Sequence, residues 1–402
     1  RLLISREKLA YLVDSTAAPV AALVPISTWA GYEISLIGDG MRIAADQNPA
    51  GAEALLSISP FAVFLQTIPY LFYPILALFF VLLTSVMGRD FGPMVDAERR
   101  ANAGNGLYRP NAKLATDTTG TVMRAKEGVS HRLRNAGLPV LTVVLVVLVG
   151  LYTSGRTDAG PEASLMDVFG AADPFDTLLW GSLAGCLVAV AVSVGQKLLT
   201  VHEAIDAGVA GIRAMVVAMI ILVFAWSLGD VTETLGTAEY LSLILSERVP
   251  LQLIPAIVFV TSAATAFATG TAWGTMAIML PVVIPLTTAL GGPVTHPGEP
   301  GFGILLGATA SVLAGAIFGD HCSPISDTTV LSSMASGCDH VDHVRTQLPY
   351  ALVVAVVGIF IGNIATAYGL PAPVALILGG LALYFMLRTF GRPVDSTSGG
   401  LP

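Results

Sequence analysis

Phe318-Gly-Asp-His-Cys-Ser-Pro-Ile-Ser-Asp-Thr-Thr-Val-Leu-Ser-Ser-Met334 lies between two strongly apolar stretches. It holds two aspartates, one histidine, four serines, two threonines and one proline. Polar groups at membrane depth are costly and mark an ion or substrate pathway. Pro324 has no backbone N–H and clashes with the preceding turn, so a continuous helix is not expected here. A broken helix inside a membrane is tolerated only where protein or a water-filled cavity surrounds it.

The surrounding composition supports a membrane reading. The chain has 402 residues, 54% hydrophobic and 12% charged, with a mean hydropathy of +0.75. Soluble domains carry about 25% charged residues. Cys186, Cys322 and Cys338 are too few and too scattered for a disulfide framework. The net charge of −8 has no nucleic-acid character. The chain opens on Arg1 with no signal-peptide pattern and reads as lacking its natural start.

Apolar runs place spans at about 9–37, 58–87, 136–153, 177–197, 210–229, 250–268, 271–290, 302–336, 347–367 and 372–388. Segments rich in Lys and Arg stay cytoplasmic. That rule puts Arg6 and Lys8, the 88–134 connection, the stretch from Lys197 to Arg213 and the tail with Arg388 and Arg392 inside. The acidic 154–176 loop falls outside. The fold class expected is an all-α polytopic membrane protein of about ten transmembrane segments, with inverted-topology repeats and broken or re-entrant helices. Residues 1–87 form the end of a first repeat whose upstream part is expected to precede Arg1. Residues 88–134 form a flexible cytoplasmic linker, dominated by Gly, Asn and Thr. Residues 135–390 hold the remaining helices with the second repeat, and 391–402 a disordered cytoplasmic tail.

The repeat rests on two matches. Ala18-Pro-Val-Ala21 followed by Ser27-Thr28 parallels Ser323-Pro-Ile-Ser326 followed by Ser332-Ser333. Gln66-Thr-Ile-Pro-Tyr70 parallels Thr346-Gln-Leu-Pro-Tyr350. The charge rule gives the paired segments opposite directions, the sign of an inverted repeat in secondary transporters. Chance recurrence of small residues and proline in membrane helices is the alternative.

Ala268-Thr-Gly-Thr-Ala-Trp-Gly-Thr275, Gly319-Asp-His-Cys-Ser-Pro-Ile-Ser-Asp-Thr-Thr329 and Asp14-Ser-Thr-Ala-Ala-Pro-Val20 together resemble the NhaC family of sodium/proton antiporters. Trp226-Ser-Leu-Gly229 and Leu235-Gly-Thr-Ala238 fit as well. The likeness runs from about Ser5 to Tyr384. It implies a ten-to-twelve-helix exchanger in a prokaryotic plasma membrane, multi-pass, in a family that also includes organic-acid exchangers and amino-acid carriers. The N-terminal helices of the family pattern are absent from this sequence.

An antiporter needs a group that holds either a sodium ion or a proton. A buried carboxylate does so, because desolvation favours its protonated form and a hard cation competes for the same oxygens. Asp14, Asp320 and Asp327 stand beside proline-broken segments and are the carboxylates expected to bind Na⁺ and H⁺. Asp327 is equally suited to capping the helix that follows it. Ser15, Thr16, Ser323, Ser326, Thr328 and Thr329 are candidate neutral ligands, with local backbone bonding as the alternative for each. Thr269 and Thr271 belong to a candidate re-entrant tip facing the same cavity. Glu33 and Asp230 read as solvated helix ends. His321, Cys322, Cys338, His340 and His343 match no standard zinc spacing, and no zinc site is expected. The run from Cys338 to His343 reads as a cytoplasmic loop. No nucleotide-binding loop or nucleophilic constellation is present, so ion gradients are expected to drive transport, with no cofactor and no enzymatic activity. The expected partners are sodium ions, protons and the lipid bilayer; a homodimer is compatible with this reading.

Overall fold

The computed structural model describes residues 3–25, 27–47, 49–112, 132–163, 174–213, 249–291 and 300–394, with isolated residues between them. Its helices are α1 (Arg6–Ser15), α2 (Ala18–Leu23), α3 (Thr28–Gln47), α4 (Pro49–Leu56), α5 (Pro60–Thr67), α6 (Phe72–Met87), α7 (Pro93–Asn102), α8 (Leu133–Ala159), α9 (Pro174–Gly195), α10 (Ile254–Thr269), α11 (Ala272–Gly291), α12 (Pro300–Cys322), α13 (Asp327–Ser336), α14 (His340–Val357) and α15 (Ala372–Phe390). Among the described residues, six helices are long and apolar enough to cross a membrane: α8, α10 with the turn before it, α11, α12, α14 extended to Ala367, and α15. The pair Pro60–Tyr70 and Phe72–Met87, bent by 46°, makes up to seven. The segment expected at 210–229 lies almost wholly outside the described residues.

Two of the expected long spans are divided. The 9–37 stretch is three helices. Helix α1 starts at Ser5, whose Oγ accepts from the Lys8 N–H at 3.1 Å, and stops at Ser15. Pro19 opens α2, since its missing N–H is harmless in a first turn. Helix α3 then runs from Thr28 to Gln47, well past residue 37. The 302–336 stretch is not one span broken in its middle. Helix α12 has 23 residues, about 34 Å at 1.5 Å per residue, and the break at Ser323–Ser326 follows its end.

Helix α12 is the core of the molecule. Leu305, Ala308, Val312, Leu313, Ala316 and Ile317 are all fully buried. Gly315 and Gly319 let α10 approach closely. A Cβ on Gly319 would stand 2.3 Å from the Ala263 carbonyl oxygen, and one on Gly315 would stand 2.5 Å from that of Phe259. Small residues at a four-residue spacing allow such contact where no hydrophobic effect drives helices together.

One end of the bundle collects the charged side chains. Lys8 pairs with Asp90 at 2.6 Å, both buried. Arg100 donates to Glu7 at 2.8 Å, and Arg109 to Asp342 at 3.0 Å. The Ser5 hydroxyl donates to Glu98 at 2.5 Å. Burial pushes the Glu98 carboxyl up, and the two Ser5 hydrogen bonds pull it back. These contacts bring residues 5–8, 89–109 and 339–345 to one end, the grouping that the charge rule requires.

The same contacts amend two expectations. The first part of the 88–134 segment is docked, not a free linker: α7 buries Met94, Val95, Ala97 and Ala101. The apolar stripe was obscured by its Arg and Glu residues, of which Arg100 pairs with Glu7, Glu98 accepts from Ser5 and Arg99 donates to the Pro393 carbonyl. The tail begins as a short strand, with Arg89 opposite Pro393 and Asp90 opposite Arg392 in antiparallel register. Residues 113–131 and 395–402 lie outside the described residues.

Candidate ion site

Four chain segments converge at the end of α12. They are the last turn of α1, the break after Cys322, helix α13 and the first two turns of α14. Asp14 comes from α1 and is 1% exposed. Its Oδ2 accepts from Gln347 Nε2 at 2.8 Å, and its Oδ1 accepts from the Ser332 hydroxyl at 3.3 Å. His321 Nε2 and His343 Nε2 stand 3.9 and 3.8 Å from Oδ2, beyond hydrogen-bond range. Gln347 also donates to the His321 carbonyl. The His321 ring is held from both sides, by Ser15 Oγ at 3.0 Å on Nε2 and Tyr73 OH at 2.6 Å on Nδ1. Tyr11 stacks on it at a centroid distance of 6.4 Å.

Asp320 adjoins His321, so a second cluster shares the last turn of α12. Ser326 Oγ donates to Asp320 Oδ1 and Thr328 Oγ1 to Oδ2, both at 2.9 Å. Ser326 and Thr328 are themselves 2.9 Å apart. The Thr329 hydroxyl reaches the Asp320 carbonyl at 3.4 Å. Ser326 occupies the cap position of α13 with extended backbone (φ −66°, ψ 138°), yet its hydroxyl caps nothing. Ser5, Ser59 and Asp339 in the same position all accept a helix N–H. Diversion of a capping hydroxyl to a carboxylate is a local sacrifice of the sort found at functional sites.

Proton counting makes this ring incomplete. Each hydroxyl brings one proton, and an ionised carboxylate brings none. Three oxygen–oxygen contacts at 2.9 Å need three protons, and Ser326 and Thr328 supply two. A proton on Asp320, or a cation among the four oxygens, balances the ring.

The other sequence candidates sit around these clusters without joining them. Asp327 is exposed and accepts from the adjacent Thr328 N–H at 2.9 Å; it is the first residue of α13 and does not cap it, the cap position being Ser326. Thr16 is exposed and bonds the Leu12 carbonyl at 2.6 Å. Ser323 donates to the Phe267 carbonyl at 2.8 Å, which ties the break to the end of α10. Gly270, in left-handed backbone at φ +70°, packs against Ile325; a Cβ there would lie 2.8 Å from Ile325 Cγ1. The turn between α10 and α11 therefore abuts the break. Thr269 bonds the Thr265 carbonyl and Thr271 accepts the Gly274 N–H, both within their own turns.

Two expectations are corrected. Glu33 is not a solvated helix end: it is 0% exposed, and neither carboxyl oxygen has a hydrogen-bond partner among the described residues. It lies six residues inside α3, which starts at Thr28 and continues to Gln47. His343 is not in a loop. Asp339 caps α14 directly, accepting from the Val341 and Asp342 N–H groups, so the polar stretch from His340 is already helical. His343 is 0% exposed. Asp230 lies outside the described residues.

His343, Gln347, Ser332, Ser333 and Tyr73 were missed as site residues. Gln347 had a signal, since it falls in the repeated Thr-Gln-Leu-Pro-Tyr motif at the entry to an apolar span. Tyr73 had none, being one aromatic among many on α6. A cavity of about 380 Å³ elsewhere, lined by residues including Ser27, Ser35, Gly38, Arg42 and Phe61, includes neither Asp14 nor Asp320 in its walls.

Comparison with known proteins gives these residues a setting. The chain is 34% identical over 360 residues to an uncharacterized protein of Haemophilus influenzae, covering 88% of this chain and 63% of that protein. It thus spans less than two thirds of that relative's length. A stretch of 81 residues is 41% identical to the malate-2H⁺/Na⁺-lactate antiporter of Bacillus subtilis, 20% of this chain and 15% of that protein. A stretch of 135 residues is 36% identical to the arginine/ornithine antiporter ArcD of Halobacterium salinarum, 27% of this chain and 28% of that one. The solved YdaH transporter of Alcanivorax borkumensis aligns with a TM-score of 0.38 at 15% identity, covering 92% of this chain and 85% of that chain. The Na⁺/H⁺ antiporter family matches residues 20–367, which include the α12 break and all of α14. By that match, and by the motifs that resemble NhaC proteins, this chain belongs to the Na⁺/H⁺ antiporter family.

Proposed function

We propose that the protein exchanges Na⁺ for H⁺ by alternating access across a prokaryotic plasma membrane, with different carboxylates for the two ions. Asp320, Ser326 and Thr328 receive the cation, and Asp14 receives the proton. The observation that carries this reading is the Asp320 ring, which is one positive charge short with an ionised carboxylate. Four hard oxygens and no nitrogen donor suit an alkali cation. Around Asp14 the neighbours differ. Gln347 points an amide N–H at it and two imidazoles stand within 4 Å, so donors stand where a cation would need ligands, while burial of the carboxylate favours its protonated form. An inverted repeat, expected from the paired sequence motifs, would support alternating access, and the breaks after Ser15 and after Cys322 meet through the Ser15–His321 contact.

The test is sodium-dependent collapse of a pH gradient in everted vesicles containing the full-length protein. Silence toward both Na⁺ and Li⁺ would sink the proposal. A second reading, ion-coupled exchange of organic acids or amino acids, is favoured by the names of two partial relatives. Against it, the buried Lys8 is committed to Asp90 and is not free to bind a carboxylate substrate. Uptake of labelled malate, lactate or arginine without a sodium response would favour that reading.

A further inference from the structure

A chain of hydrogen bonds leads from Asp14 to the charged end of the bundle. His343 Nε2 is 2.8 Å from Gln347 Oε1 and 3.8 Å from Asp14 Oδ2. His343 Nδ1 is 2.8 Å from Ser333 Oγ, and that oxygen is 3.0 Å from His340 Nδ1. His340 is partly exposed, and its Nε2 lies 2.5 Å from the Pro324 carbonyl. We propose that His340, Ser333 and His343 form a proton relay that loads Asp14 from the aqueous face where residues 5–8 and 89–109 gather. This rests on the assignment of the proton to Asp14.

The protons of the network set its direction. Gln347 spends its amide N–H groups on Asp14 and the His321 carbonyl, so its Oε1 must accept. His343 therefore donates from Nε2 and presents a bare Nδ1. His340 likewise donates Nε2–H to the Pro324 carbonyl and presents a bare Nδ1. Ser333 has one proton for the Thr329 carbonyl at 2.8 Å and both bare nitrogens. A proton taken up on His340 Nδ1 fills the gap. Ser333 Oγ then accepts that proton while its own passes to His343 Nδ1, leaving His340 neutral and His343 an imidazolium. His343 Nε2–H turns from Gln347 to Asp14 Oδ2, and the proton transfers; the N–H bond breaks and the carboxyl O–H forms. The transfer leaves His343 neutral, with its proton on Nδ1 and Nε2 bare.

Among the described residues, the titratable groups around this path are few, and Asp339, one turn before His343, is spent on the Val341 and Asp342 N–H groups. From α1 the titratable side chain facing His343 is Asp14, from α12 it is His321, and from its own helix it is His340. Helix α13 contributes hydroxyls, with Asp327 exposed at its start. Glu7 and Asp342 are held by Arg100 and Arg109.

The experiment uses the full-length protein in proteoliposomes and compares two fluxes of radiolabelled sodium: sodium driven by a pH gradient, and sodium-for-sodium exchange with no gradient. His340→Ala should slow the first about tenfold or more, in line with loss of a proton-transfer group, and spare the second. Added imidazole should restore the first. Ser333→Ala should show the same selective loss, with no imidazole rescue because its gap is internal. Wild-type proton-driven flux in His340→Ala, or equal loss of both fluxes without rescue, would overturn the relay. Asp14→Asn measured alongside separates the two ideas. If it keeps proton-driven exchange, the Asp14 assignment fails whatever His340 does. If it is inactive while His340→Ala is wild type, only the relay fails.

Discussion

Asp14 and Asp320 are both buried carboxylates beside the last turn of α12, yet their surroundings differ. Asp14 faces an amide, a serine and two imidazoles. Asp320 faces only hydroxyls of the break and of α13. Under the proposed assignment, identical side chains acquire different chemistry from their neighbours: nitrogen donors exclude a cation from Asp14, where burial favours the proton, and hydroxyl oxygens offer a hard cation ligands at Asp320. Glu33 sharpens the contrast, being just as buried with no hydrogen-bond partner among the described residues.

The largest effects should come from removing either charge. Asp320→Asn should weaken sodium binding by roughly a hundredfold or more, since removing one member of a buried ion pair costs about 3–5 kcal/mol. Asp14→Asn should abolish proton coupling while sodium binding, read by calorimetry, stays near wild type. Equal loss of sodium binding in both variants would erase the distinction between the sites.

Packing beneath Asp320 should matter next. Gly319→Val places side-chain atoms against the Ala263 carbonyl, and overpacking of this sort costs about 1–3 kcal/mol. A lowered melting temperature in detergent with weaker sodium binding is expected, since the displaced residue precedes Asp320. Ser326→Ala and Thr328→Ala should each cost roughly tenfold in apparent sodium affinity, from about 1.5 kcal/mol per bond to a charged group. Neither should shift the pH dependence of exchange; a shift would place the proton on Asp320 as well. The smallest effect is expected for Glu33→Leu. A buried polar group without partners gains nothing from its polarity, so melting temperature should hold or rise. A marked loss of exchange in this variant would add Glu33 to the transport machinery.

Much of this was legible in the chain. The apolar runs, the basic segments at one end and the polar 318–334 stretch announced a membrane transporter with a broken helix. Asp14, Ser15, Asp320, Ser326 and Thr328 were all singled out as carboxylates and hydroxyls beside proline-broken segments, but so were Asp327, Thr16, Ser323, Thr269 and Thr271, whose hydrogen bonds are to nearby backbone groups. The lengths of the broken segments were not legible. The polar run extends on both sides of Pro324, so it marks a break without revealing that α12 is already complete at Cys322.

The sequence by itself determined the membrane class, the family and the presence of polar breaks, since each depends on residue type and on order along the chain. Only the tertiary structure decided which carboxylate meets which partner. Gln347 reaches Asp14 across 333 positions, and Ser332 reaches it across 318. Hydrogen-bond geometry over such separations is set by how α1, α12, α13 and α14 pack, and no local pattern encodes it.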